Sequence, residues 1–184
     1  MPSIHRVNWE WLLQKLIKDK FFRIKYKTKD YQFITNDMEI KNLFNLKGKT
    51  ALVTGGSQGI GKAISLALAE YGANMIINYR SNKKLAEETK KEIINKGAKC
   101  WLIECDLSRL DSAKIISRYL NEHEVSPDIL VLNASVQYRK AWDEVTPQEF
   151  EDQININFRA SLFLIQEFFP SMKNNGWGRI VTLG

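Results

Sequence analysis

Thr54-Gly55-Gly56-Ser57-Gln58-Gly59-Ile60-Gly61 follows directly on the apolar run Ala51-Leu52-Val53 and leads straight into a helical pattern. Glycines at such a junction let the chain turn sharply and bring backbone N–H groups up to a phosphate at the positive end of a helix. The last of them lets the helix pack close to the strand. A tight turn without a ligand has the same composition, but a strand before and a helix after favour phosphate binding. Thr54, Gly55, Ser57, Gln58, Gly59, Ile60 and Gly61 are therefore candidate ligand contacts.

Outward from this turn the chain alternates short apolar runs with helical periodicity. The runs are Ala51-Leu52-Val53, Met75-Ile76-Ile77, Trp101-Leu102-Ile103, Ile129 to Leu132, and Ile180-Val181. Continuous rather than alternating apolar strands imply burial on both faces, hence a parallel sheet between layers of helices, an α/β doubly wound architecture. Ile60, Ala63, Ile64, Ala67, Leu68 and Tyr71 repeat at helical spacing and Gly72 follows as a stop, so a crossover helix is expected there. Ser81 is expected to open the second helix and Gly97 to close it, and Ser108 with Asp111 resembles a capping arrangement. Thr146-Pro147-Gln148-Glu149 combines an N-cap, a first-turn proline and a capping-box glutamate. Residues 1–45 lack this rhythm beyond a possible amphipathic helix from Asn8 to about Phe22; they read as an N-terminal extension, with the α/β domain over 46–184.

At 184 residues and 44% hydrophobic content, the chain can bury one core with an appendage. Its net charge of +6 lies in the first quarter: residues 1–49 hold 11 Lys/Arg against 5 Asp/Glu, and the remainder holds 16 of each. A neutral domain gives no support for nucleic-acid binding. Attachment of the basic, aromatic lead segment to a membrane, through Trp9, Trp11, Phe21 and Phe22, is the less favoured alternative to a dispensable extension. No run approaches a membrane span. Cys100 and Cys105 are the only cysteines, and their odd separation in one strand puts them on opposite faces, unable to bridge, which suits a cytoplasmic setting. His5 and His123 are too isolated to act as metal ligands, so no metal site is expected.

The spacing T-G-x-x-x-G-x-G, with four further landmarks in order, resembles the short-chain dehydrogenase/reductase family over about residues 44–184. Cys105-Asp106-Leu107 stands where the family's Asp contacts the adenine. Asn133-Ala134-Ser135 looks like the family's Asn-Asn-Ala-Gly, with Leu132 in place of its first Asn and Ser135 in place of its Gly. Ile156-Asn157 matches the family's Val-Asn, and Gly178 to Gly184 resembles the strand that delivers the catalytic Ser. The resemblance implies a Rossmann sheet, here expected to be C-terminally incomplete. It also implies nucleotide contacts from Asp106, Leu107, Asn133, Ala134 and Ser135, and a catalytic role for Asn157 in holding a proton-relay water through a backbone kink. Read singly, Asp106 is also compatible with a helix-start residue and Asn157 with a satisfied polar group in a helix.

Cofactor choice is read at the end of the second strand, about twenty residues past the glycines, where an NAD enzyme presents a carboxylate. Here stand Asn78-Tyr79-Arg80-Ser81. Arg80 offers a planar cation and Ser81 a hydroxyl that suit a 2′-phosphate, so NADP(H) is the expected cofactor, with Tyr79, Arg80 and Ser81 as contacts. An exposed loop arginine is the alternative, since Gln58 replaces the basic residue usual in the glycine turn. By the same resemblance the reaction is hydride transfer between nicotinamide and a carbonyl or carbinol carbon, by an enzyme that forms homo-oligomers at full length and whose catalytic Ser, Tyr and Lys this stretch does not supply. The loop Val136-Gln137-Tyr138-Arg139-Lys140 resembles the Gln-Arg-Arg of gluconate 5-dehydrogenase-like members and suits a sugar-acid carboxylate, with a solvated loop as the equal alternative, while 3-oxoacyl-carrier-protein reductases share the same nucleotide half. A non-catalytic nucleotide- or partner-binding module is the competing reading. The apolar stretch Leu162-Phe163-Leu164-Ile165 with Phe168-Phe169 favours the enzyme, because in the family that helix packs against further chain.

Overall fold

A computed structural model describes residues 44–183. The reading of residues 1–43, including the Asn8–Phe22 helix, lies outside the described residues. The elements in order are β1 (Thr50–Val53), α1 (Gly59–Glu70), β2 (Asn74–Tyr79), α2 (Lys83–Asn95), β3 (Cys100–Glu104), α3 (Ser112–Glu122) and β4 (Ile129–Leu132). A single 3₁₀ turn (Trp142–Glu144) then precedes α4 (Pro147–Gln153), which runs through a π-helical segment (Ile154–Arg159) into α5 (Ala160–Asn174); β5 (Arg179–Thr182) follows. All strand pairs are parallel and their order is β3-β2-β1-β4-β5. The order reverses between β1 and β4, so the sheet is doubly wound and opens a crevice at the carboxyl ends of those two strands.

The sheet has a core on each face. Leu52, Ile76 and Leu130 pack with Ile116 and Leu120 of α3 and Leu164 and Phe168 of α5. Val53, Met75, Ile77 and Val131 pack with Ala69 of α1 and Ile93 of α2. Cys105 belongs to the first face and Cys100 to the second, as their odd spacing requires. Burial pushes both thiols up, Cys100 to about 12 and Cys105 to about 11.

Four local expectations need correction. In α1 the fully buried residues are Gly61, Ser65 and Ala69, with Ile64 and Leu68 of the expected stripe packed beside them, whereas Ile60 is 66% exposed, so the helix forms where expected but is rotated towards its small residues. Small residues win that face because they let the helix axis approach the strands. Gly72, with φ of +96°, ends α1 as expected. Ser81 does not open α2: Asn82 does, its Oδ1 accepting from Leu85 N at 3.1 Å. Ser108 and Asp111 form no cap either. Asp111 Oδ1 takes Arg109 Nε at 2.9 Å, and the Ser108 amide donates instead to Asp106 Oδ1 at 2.9 Å. Finally, β5 is exposed along its whole length, with Val181 at 49%, whereas β3 at the other edge is largely buried: a helix packs on β3, and among the described residues none packs substantially on β5.

The capping box of α4 forms as read. Thr146 Oγ1 accepts from Glu149 N at 3.3 Å and Glu149 Oε2 accepts from Thr146 N at 3.0 Å, while Lys140 Nζ lies 2.7 Å from the same carboxylate. Lys140 first, then the Thr146 amide, draw Glu149 down from 4.5 to about 2. A depressed carboxylate contributes stability that is complete above its ordinary value and is lost as pH falls through the folded one. The melting-temperature difference between the unmutated chain and Glu149→Gln should therefore hold constant above about pH 5 and shrink as pH falls from 4.5 towards 2. A difference independent of pH would assign the effect to shape, not charge.

Candidate functional site

The crevice at the switch point is a cleft of about 450 Å³ bounded by four chain segments. The first wall is the glycine turn: Gly55, Ser57, Gln58, Gly59, Ile60 and Gly61 all line the cleft. Gly59 has φ of +54°, in the left-handed region that disfavours side chains. At Gly61 a Cβ would strike the carbonyl oxygen of Gly55 and lie 2.6 Å from Asn133 Nδ2. Gln58, the N-cap of α1, makes no side-chain cap, and no acidic residue occupies the first turn. The leading amides of α1 thus point towards the cleft end of the helix with no carboxylate competing for them.

Thr54 stands behind this wall and not in it. It is 2% exposed, and its hydroxyl oxygen accepts from the amides of Asn133 at 2.9 Å and Ala134 at 3.0 Å. Asn133 Nδ2 in turn donates to the carbonyl oxygens of Thr54 at 3.0 Å and Gly55 at 3.3 Å. These bonds fasten the loop after β4 to the loop after β1, and place Asn133, Ala134 and Ser135 as the second wall. Replacing Thr54 by the isosteric Val strands two amides, each costing about 1–3 kcal/mol when left unpaired. Thr54→Val should lower the unfolding free energy by at least about 2 kcal/mol in a urea titration, and a loss below half of that would show that water replaces the hydroxyl.

Tyr79, Arg80 and Ser81 form the third wall, and Asp106 and Leu107 the fourth. Tyr79 is 6% exposed and its hydroxyl donates to Glu104 Oε2 at 3.1 Å; burial and then this bond raise its pKa. Arg80 and Ser81 are exposed at the rim, and no salt bridge engages Arg80 among the described residues. Asn157 lies in the π-helical segment and does not line the cleft. Its carboxamide clamps the residue after Ser135, with Oδ1 accepting from Val136 N at 2.8 Å and Nδ2 donating to Val136 O at 2.9 Å. The backbone irregularity expected at Asn157 is present as the π segment.

Farther along the loop, Tyr138 donates to Asp152 Oδ2 at 3.0 Å and Lys140 is held by Glu149. Of this loop's cations, Arg139 alone forms no ion pair among the described residues. Sequence reasoning missed five cleft residues: Asn78, Asn82, Cys105, Val136 and Ile156. Asn82 was detectable as a competing N-cap next to Ser81, whereas Cys105, Val136 and Ile156 carry no signal beyond adjacency to the motifs.

The short chain dehydrogenase family profile matches residues 49–184. A hydroxynaphthalene reductase-like protein of Metarhizium anisopliae is 36% identical over 139 residues, covering 76% of this chain and 51% of that protein. A 3-oxoacyl-[acyl-carrier-protein] reductase of Staphylococcus epidermidis is 35% identical over 135 residues, covering 73% of this chain and 55% of the relative. The chain thus spans about half the length of the curated relatives it matches. Among solved structures, a 3-oxoacyl (acyl-carrier-protein) reductase of Agrobacterium tumefaciens, crystallised with NADP bound, superposes with a TM-score of 0.75 at 32% identity, covering 82% of this chain and 58% of that one. With the glycine turn, the sheet order and the match over residues 49–184 in agreement, this chain belongs to the short chain dehydrogenase family.

Proposed function

We propose that the described domain binds NADP(H) as the nucleotide-binding part of an oxidoreductase acting on a small carbonyl or alcohol substrate. The observation that carries this reading is the pairing of an uncapped, carboxylate-free α1 N-terminus on one wall with an exposed Arg80 on another, which forms no ion pair among the described residues. The amides of the glycine turn and α1 suit a pyrophosphate, and Arg80 with Ser81 suits a 2′-phosphate. The absence of a carboxylate at positions 79 to 82 removes the group that would select the free 2′-hydroxyl of NAD. When bound, the cofactor supplies a hydride to a carbonyl carbon. Asp106 and Leu107 hold the adenosine end, while Asn133, Ala134 and Ser135 shape the nicotinamide end. Asn157 fixes that last wall through Val136, keeping the loop in the geometry that hydride transfer requires.

For the substrate we favour a 3-oxoacyl thioester or a keto sugar acid. Lys140 is occupied by Glu149, which leaves Arg139 as the loop cation available to an anionic group. The relatives named as 3-oxoacyl reductases support the thioester arm.

Binding titrations of the unmutated chain should show NADPH held more tightly than NADH, and Arg80→Asp should reverse the order. A charge-assisted hydrogen bond of about 1.5–3 kcal/mol corresponds to a shift of roughly 10- to 100-fold in the ratio. Tighter binding of NADH by the unmutated chain would sink the assignment of Arg80.

A further inference from the structure

β2 is an apolar strand until Asn78, which is 2% exposed and lies on the face of Ile76, where an aliphatic residue would pack as well. A buried carboxamide is costly unless its hydrogen bonds are met. Asn78 Nδ2 meets them on the neighbouring strand, donating to Cys105 O at 3.0 Å and lying 3.4 Å from Ile103 O. The paired register of β2 with β3 runs to Tyr79 and Glu104, and one further backbone bond, from Cys105 N to Tyr79 O at 2.9 Å, holds the amide of the next residue. The Nδ2 bond takes the other backbone polar group of Cys105, its carbonyl, immediately before Asp106. The backbone oxygen of Asn78 accepts from Gly56 N at 3.1 Å. Asn78 thus touches both the glycine turn and the Cys105–Leu107 segment, and it lines the cleft between them.

We infer that Asn78 is a positioning residue: its side-chain amide pins the Cys105–Leu107 wall to the end of β2 and so sets the fit of the cleft to the adenosine half of a dinucleotide. The inference rests on the nucleotide reading above. Asn78→Asp keeps the shape but turns an acceptor towards two carbonyl oxygens, so the Cys105 carbonyl is repelled and the segment towards Leu107 is left held only by the backbone bond from Cys105 N to Tyr79 O. Asn78→Thr suits a strand and is too short to reach Cys105 O, which provides a second route to the same loss should the aspartate variant not fold.

The test uses the full chain and three probes: NADPH, adenosine 2′,5′-bisphosphate, and reduced nicotinamide mononucleotide, which has no adenosine. Folding is checked by circular dichroism. Folded variants should lose about tenfold or more in affinity for NADPH and for the bisphosphate alike, the loss expected of one buried hydrogen bond, and bind the mononucleotide as before. An unchanged affinity for the bisphosphate, or an equal loss for the mononucleotide, would overturn the inference while leaving the nucleotide reading in place. An unmutated chain that binds neither NADPH nor the bisphosphate would overturn that reading and this inference with it.

Discussion

Gly61→Val should abolish nucleotide capture while leaving a weakened but recognisable fold. The added Cβ meets the Gly55 carbonyl oxygen and Asn133 Nδ2, one a backbone atom and the other tied to Thr54 and Gly55. Neither can step aside without opening the turn or the wall after β4. Overpacking of this kind costs up to about 3 kcal/mol. If the strain is relieved by moving the turn, the amides of α1 leave their alignment and affinity for NADPH falls by at least about 100-fold. Gly59 provides the contrast. Nothing lies within 4 Å of a Cβ there, but φ is +54°, so the difficulty is conformational. Asn tolerates that region, and Gly59→Asn should keep most of the stability that Gly61→Val loses. Isothermal titration with NADPH and thermal melting of both variants decide the point; equal losses at the two positions would mean that close packing at Gly61 is not what the turn depends on.

The sheet was legible because buried parallel strands have a one-dimensional signature: apolar on both faces, with β1, β2 and β4 matching it almost residue for residue. β5 carries the apolar pair Ile180-Val181 and yet is exposed, since composition does not say which strand a helix covers. The inward face of α1 is legible only in part, through Ile64 and Leu68, for a related reason. Periodicity finds the largest apolar stripe, but close contact with the sheet selects Gly61, Ser65 and Ala69, which a hydrophobicity count undervalues. In the site, the glycine turn, Arg80, Asp106 and Asn133 are motif residues readable by position. Asn78 was hidden inside an apolar strand, and its hydrogen bonds cross to Ile103 and Cys105, a juxtaposition that only the β2–β3 register supplies. Thr54 was read as a ligand contact, whereas the structure buries it behind the wall, because a hydroxyl at the end of β1 is the nearest acceptor for the amides leaving β4.

Residues 1–184 assayed alone should show no dehydrogenase turnover, whatever their affinity for NADPH. Hydride addition to a carbonyl leaves a developing alkoxide, and a positioned proton donor typically contributes roughly 100- to 10,000-fold. Two tyrosines of the described domain stand near the cleft, and neither is arranged to give up a proton there. The Tyr79 hydroxyl is directed to Glu104, away from the loop after β4, and burial raises its pKa. Tyr138 is bonded to Asp152, and this bond raises its pKa as well. Tyr79 is followed four residues on by Lys83, but that lysine opens α2 on the Arg80 side of the cleft, not the side of Asn133 and Ser135. The measurement is the loss of NADPH absorbance with 3-oxoacyl thioesters and keto sugar acids, beside an active 3-oxoacyl reductase as a positive control. Turnover that vanishes in Tyr79→Phe or Lys83→Ala would show that the pair on the adenosine side is catalytic. Turnover that vanishes only in Tyr138→Phe would place the proton donor on the loop after β4. A rate at background for the unmutated chain and all three variants, with NADPH still bound, is the expected result.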